Sequence, residues 1–392
     1  MMKLALKLAF KNLIGAGLRT WLNVIVLSFA FVMIIAAKGI LVGWDRQAKK
    51  DMTDWEIASG QYWHERYDPY DAFTLADAHS AIPSQFMAEI ESGDMVPVLI
   101  TQGTIYPEGR MQSILIKGID PEQALLELPT GRLDTAVAAV PAIIGSNMAQ
   151  ANKLKKGDYA TIRWRDANGT FDAAEIFIAE IFTANVPTVD VAQVWIELER
   201  LQSMVAMPDE ATILTFRNPE NRAGEAEEWR LMTYKTLVSE VDEMIKTKSV
   251  GQSIFYSILL ILALLAIFDT QVLSIFRRQK EIGTYIALGY TRREVVSLFT
   301  VEGAMHAVLA AVVGAIYGIP FLMWFAQKGI SLGMSSADYG FAIADTMYPV
   351  YSGSLIAGTT LLVLISTTIV SYWPSRKIAR MNPTEALRGK LQ

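Results

Sequence analysis

Four apolar runs constrain this chain more than any other feature. The hydrocarbon core of a bilayer is about 30 Å thick and takes roughly 20 helical residues to cross. The runs go from Trp21 to Gly43, Gly251 to Phe276, Val295 to Phe325 and Ser352 to Trp373, and each is long enough. The first carries one charge, Lys38, near its far end, where a long side chain can reach the surface. A cleaved signal peptide is the alternative, because Lys3, Lys7, Lys11 and Arg19 make a basic start. The apolar stretch is longer than the ~7–15 residues of a signal core, however, and no A-x-A-like site closes it. Residues 44–249 hold no such run and read as a folded domain. The expected fold class is an α+β membrane protein: four transmembrane helices, with a large α+β extracytoplasmic domain inserted between the first and second.

The expected boundaries are an amphipathic surface helix at 1–20, spans at 21–43, 250–276, 295–326 and 352–373, the large domain at 44–249, a connecting loop at 277–294, an outer loop at 327–351 and a tail at 374–392. Orientation follows from Lys and Arg near the spans. Lys3, Lys7, Lys11 and Arg19 precede the first span without an acid. Arg277, Arg278, Lys280, Arg292 and Arg293 lie between spans two and three, and Arg376, Lys377, Arg380, Arg388 and Lys390 follow span four. The loop between spans three and four has Lys328 against Asp338 and Asp345. Both termini and the 277–294 loop are therefore expected in the cytoplasm, the large domain outside, and the chain in the cell inner (cytoplasmic) membrane. Lys3, Lys7 and Lys11 line one helical face, which suits the surface of an anionic membrane and makes membrane lipid a partner.

The loop carries the densest local information. Lys280 to Leu288 reads as a short helix, ended by Gly289 in a left-handed conformation. Thr291 then opens the next helix with a capping box, Thr-Arg-Arg-Glu, in which Thr291 and Glu294 satisfy each other's backbone N–H. A partner gripping such a helix pulls on both adjoining spans. Glu281-Ile282-Gly283, Ala287-Leu288-Gly289 and Arg292-Arg293 resemble the EIG…ALG signature of MacB/FtsX/LolE-type permeases of ABC transporters. The tail from Pro374 through Pro383-Thr384-Glu385-Ala386-Leu387-Arg388 is similar to that family's closing pattern, and Asn382 and Pro383 also suit the start of a helix. Ile143-Ile144-Gly145-Ser146, Leu154-Lys155-Lys156-Gly157-Asp158, Arg19-Thr20 and Glu302 match family positions as well.

The resemblance implies an architecture like that of the type VII ABC exporters. It makes Lys280, Glu281, Ile282, Gly283, Ala287, Leu288 and Gly289 the helix that docks on an ABC ATPase, present in two copies. It also implies a second permease, either the same chain or a related one, and allows a periplasmic adaptor or chaperone. No G-x-x-x-x-G-K-[ST] loop occurs, so no cofactor is expected in this chain, and ATP and Mg belong to a partner polypeptide. The permease itself is expected to be non-catalytic. A formal charge of −5 argues against nucleic acid. The absence of cysteine excludes disulfides and thiolate sites, and three histidines, His64, His79 and His306, give no metal spacing.

Within the large domain, the alternation from Met95 to Gly118 predicts two strands joined at Pro107–Gly109, with further strands at 159–164, 174–182, 191–196 and 211–216. Asp166–Gly169 predicts a hairpin turn. Helices are expected at 75–91, 147–154, 197–205 and 223–248. The aromatic stretch 62–70 reads as a packed loop, with a cargo surface as the alternative. Asp269, Glu302 and His306 fall inside apolar runs, where a buried acid costs about 2.5–3.5 kcal/mol at mid-span. They are expected to pair across helices at a dimer seam, with a proton pathway as the sharper alternative. Gly314-x-x-x-Gly318 permits close helix approach.

The first functional expectation is a permease that moves its outer domain mechanically to release lipoproteins. Efflux of a drug, peptide or lipid, and FtsX-like control of cell-wall hydrolases, are the alternatives, and a receptor without an ATPase is a further class.

Overall fold

The computed structural model describes residues 17–220, 225–226, 228–331 and 346–380. The predicted surface helix at the N-terminus and the helix after Asn382 fall outside these residues. Two compact units emerge: one contains the chain up to Trp44, Ile245–Ile330 and Met347 onward, the other Asp45–Met244.

Among the described residues the first unit is built on four helices long and apolar enough to cross a membrane, Leu18–Met52, Ser239–Arg277, Arg292–Lys328 and Gly353–Ser375. The first is the hub: 56% of its apolar stretch is buried inside the protein, against 22%, 22% and 17% for the others. Val24, Leu27, Phe31 and Ile35 from this helix pack with Ala263 and Ile267 of the second, Ala307 and Ala310 of the third and Val363 of the fourth. Close approach depends on missing side chains. A Cβ at Gly318 would come within 2.6 Å of Val32, and one at Gly43 within 2.1 Å of the Tyr348 carbonyl oxygen. The Gly314/Gly318 pattern is therefore used within the chain, against the first helix. Polar groups add stitches: the Asn23 amide donates to Thr270 and to the Ala266 carbonyl, and Ser28 and Tyr317 share a hydrogen bond of 3.2 Å. Lys38 lies 5.8 Å over the Tyr256 ring.

The second unit is mixed α and β. Its strands of four residues or more among the described residues are β1 (Gly60–His64), β2 (Met95–Tyr106), β3 (Gln112–Ile119), β4 (Val140–Gly145), β5 (Tyr159–Arg165), β6 (Phe171–Phe182), β7 (Gln193–Glu197), β8 (Ile213–Phe216) and β9 (Trp229–Thr233). Six of them close into a ring in the order β2-β3-β7-β4-β6-β5, with β5 returning to β2. The β3–β7 and β4–β6 pairs are parallel and the other pairs in the ring antiparallel. β8, β1 and β9 extend from the first half of β2. Alternation sorts the side chains of β3: Ile114 and Ile116 join one core with Leu99, Ile144 and Ile196, while Leu115 packs on a second with Val98 and Trp195.

The Ile-Ile-Gly-Ser segment has a local cause. Asp190, fully buried, accepts from the N–H groups of Asn147 (2.9 Å) and Met148 (3.3 Å) at the start of the Ser146–Asn152 helix. A Cβ at Gly145 would lie 1.9 Å from its carboxylate oxygen, so only glycine leaves room.

Three expectations are corrected. The stretch 75–91 is broken into 3-10 turns at Ala72–Ala76 and Ser84–Phe86, a two-residue strand at Ser80–Ala81 and a short helix at Met87–Glu91. In the 223–248 stretch, the chain forms β9 before turning helical at Tyr234. The aromatic stretch 62–70 begins in β1, not in a loop: Tyr62 is a core residue packed on Phe86 and Phe216.

Candidate functional site

The loop between the second and third long helices folds as the Gln279–Ala287 helix, and Gly289 follows at φ 96°. Thr291 and Glu294 form the complete capping box: Thr291 N–H donates to the Glu294 carboxylate at 2.8 Å, and Glu294 N–H to the Thr291 hydroxyl at 3.3 Å. These bonds to Thr291 hold the Glu294 carboxyl below its ordinary range. One turn sequence thus ends a helix and restarts another within four residues, 288–291, which fixes the angle between them.

The loop helix has an inner and an outer side. Ile282 is 0% exposed and packs with Ile275, Val295, Val296, Phe299 and Ile378. Gly283 is also buried. Lys280, Glu281, Ala287, Leu288 and Gly289 are exposed, and Leu288 is 73% exposed. Of the seven residues assigned to docking by sequence, Ile282 and Gly283 therefore seat the helix on its own chain, and the other five form the free surface.

Arg278, just before the loop helix, ties the assembly together. Its Nη1 lies 2.9 Å from both carboxylate oxygens of Glu302 in the third long helix. Its Nε donates to Glu281 at 2.7 Å, and its guanidinium stacks 4.8 Å over the Phe299 ring. Both members of the Arg278–Glu302 pair are largely covered, with side chains 19% and 11% exposed. A planar cation that engages two carboxylates and an aromatic face fixes the loop helix and the third long helix in one geometry.

The sequence missed Arg278, which it counted only as one of several basic residues. Its three-residue spacing from Glu281 was the available signal. Glu302 is engaged within the chain by Arg278, just past the end of the preceding long helix. His306 is buried one turn along. Its Nδ1 sits 3.2 Å from the Gly303 carbonyl and 3.3 Å from that of Glu302, so it bonds its own helix backbone and not the carboxylate. Asp269 is exposed on the second long helix, apart from both. Next to this site the third and fourth long helices touch at Gly303, where a Cβ would meet the Ser371 hydroxyl at 2.1 Å. No group of three or more His, Asp or Glu side chains that could hold a metal occurs among the described residues.

The loop helix is thus seated between two long apolar helices and locked by a capping box. Residues 253–383 match the FtsX-like permease C-terminal family. The chain is similar to an uncharacterized ABC transporter permease of Methanocaldococcus jannaschii, with 26% identity over 42% of this chain and 39% of that protein. It is similar to the macrolide export ATP-binding/permease protein MacB of Sodalis glossinidius, with 27% identity over 38% of this chain and 22% of that protein. It also resembles the uncharacterized ABC transporter permease YknZ of Bacillus subtilis, with 22% identity over 56% of this chain and 50% of that protein. The matches thus span half or less of each relative's length. These likenesses support an ABC transporter permease of the MacB/FtsX superfamily.

Proposed function

We propose that this chain is the membrane subunit through which a separate ABC ATPase drives a large domain on the far side of the membrane. The loop helix is the point of entry for force. In this reading it lies in the cytoplasm with both termini, the four long apolar helices span the inner membrane, and the Asp45–Met244 unit lies outside. Two ATPase copies work with two permeases, either a pair of this chain or this chain with a related one. The observation that carries the reading is the two-sidedness of the loop helix: Ile282 bolts it to the spans while Leu288 faces away. Arg278 passes a push on to Glu302.

Extraction of lipoproteins by mechanical movement of the outer domain is the cargo reading we keep first. Export of a small amphiphile is the second, favoured by the macrolide export named for MacB relatives. Purification of the chain from its native membrane tests the core of the proposal. The wild type is expected to bring down an ATPase that carries a phosphate-binding loop, and Leu288→Asp to lose it while remaining folded. Retention of the same ATPase by the variant, or its absence from the wild type, overturns the reading.

A further inference from the structure

The second unit contains a cleft that the permease reading does not use. β2 pairs with β8 over Met95–Val98 and with β5 over Gly103–Tyr106, so the sheet forks between these stretches. Thr212 covers part of the gap: its N–H donates to the Val98 carbonyl at 2.9 Å, and its hydroxyl accepts from Ile100 N–H at 3.1 Å. Beside the fork opens a cleft of about 710 Å³. It is bounded by β2, β5, the Ala72–Ala76 turn and the ends of the β2–β3 and β5–β6 hairpins.

Three of the most exposed apolar side chains in this unit line that one cleft: Phe73 at 89%, Met111 at 75% and Phe171 at 61%. Apolar side chains this exposed and gathered on one concavity mark a binding surface. The strand residues between them, Thr101, Gln102 and Thr104, offer hydrogen-bonding groups along its length.

Two arginines and two aspartates line the cleft. Arg163 and Arg165 stand two residues apart on β5, hence on one face of the strand. Arg163 stacks 4.2 Å from the Phe171 ring, and Arg165 Nε donates to the Gly169 carbonyl at 3.2 Å. Neither cleft arginine is in an ion pair among the described residues. Of the two acids on the cleft, Asp166 is committed to the hairpin turn, accepting from Thr170 N–H at 2.7 Å, and Asp77 sits after the Ala72–Ala76 turn.

We propose that this cleft captures an extended segment of a partner polypeptide that carries acidic and bulky apolar side chains. The arginines take its carboxylates, the apolar rim takes its large side chains, and the threonine and glutamine groups take its backbone. A lipid chain has no use for the hydrogen-bonding strand residues, and a free anion has none for Phe73 and Met111.

The test uses the full chain in an uncharged detergent, without nucleotide or ATPase, so its failure leaves the permease reading untouched. The probe is a fluorescein-labelled peptide of about ten residues, a fully extended length of roughly 35 Å, alternating aspartate and leucine. Its control alternates lysine and leucine. Fluorescence anisotropy is expected to show binding of the acidic peptide only, weakened about tenfold or more by the R163E/R165E double variant. Met111→Asp, at an exposed position, is expected to weaken it as well without touching the strand. Equal binding of both peptides, or unchanged binding by both variants, overturns the proposal. Displacement of the acidic peptide by dodecyl phosphate at equal concentration also overturns it, because the cleft is then a site for an anionic amphiphile.

Discussion

Replacing Glu302 with glutamine removes one charge from the link between the loop helix and the third long helix and leaves its shape. Two unit charges 2.9 Å apart attract by about 6 kcal/mol at an effective dielectric near 20. Desolvation returns most of that, and breaking a pair this well covered costs about 2–3 kcal/mol net. Arg278 keeps its bond to Glu281, so the whole protein stays folded and the loss falls on the docking of the loop helix. Local opening of 279–287 should become about 30–150-fold more frequent. Hydrogen–deuterium exchange on the purified protein in detergent reads this directly, as a matching fall in amide protection within the loop helix and little change in β2–β4. Arg278→Met should cost more, because it takes the cation away from a largely covered Glu302 carboxylate, and adding Glu302→Gln to it should restore part of the loss. Protection of the loop helix within about twofold of wild type in Glu302→Gln would refute the link.

Three further outcomes follow from close contacts and from one buried charge. Gly303→Ala should loosen the third and fourth long helices by about 1–3 kcal/mol, and Ser371→Gly in the same chain should recover most of it, read by thermal unfolding in detergent. Gly145→Ala should cost about 2 kcal/mol or more by displacing Asp190 from the helix start, seen as faster exchange at Asn147 and Met148. Lys117 is buried, donating to the Thr188 carbonyl at 2.6 Å and lying 4.8 Å over Trp195. Burial lowers its pKa from 10.5 to about 8. Between about pH 8 and 10.5 the unfolded chain binds the extra proton, so this residue makes stability rise with pH, by ~3 kcal/mol in all. Below pH 8 the gain is absent, and Lys117→Met should flatten the difference across that window in thermal unfolding.

Much of the loop was legible because its signals are local. The Thr291–Glu294 capping box, Gly289 and the apolar run that follows all lie within one short stretch, and each states a backbone requirement on its own. The hydrophobic runs announced the long helices for the same reason. Arg278 was not legible as an anchor, because Glu302 stands twenty-four residues away on another helix, and only packing brings them together. The side of the loop helix on which Ile282 lies was not legible, because a three-residue motif does not say which side of a short helix faces its own chain. In the large domain, the 75–91 stretch had helix-compatible residues, but Pro83 removes a backbone donor where the helix would continue. The return of β5 to β2, which closes the ring, is a long-range pairing with no local mark.

We propose that the outer side of the loop helix meets a nucleotide-hydrolysing chain and that its inner side does not. A photo-crosslinking residue placed at Leu288 or, as the buried control, at Ile282 measures this in native membranes. The account predicts a covalent adduct with an ATPase from position 288 and none from position 282. Adducts from both positions, or an adduct from 288 with some other protein in place of an ATPase, would contradict it.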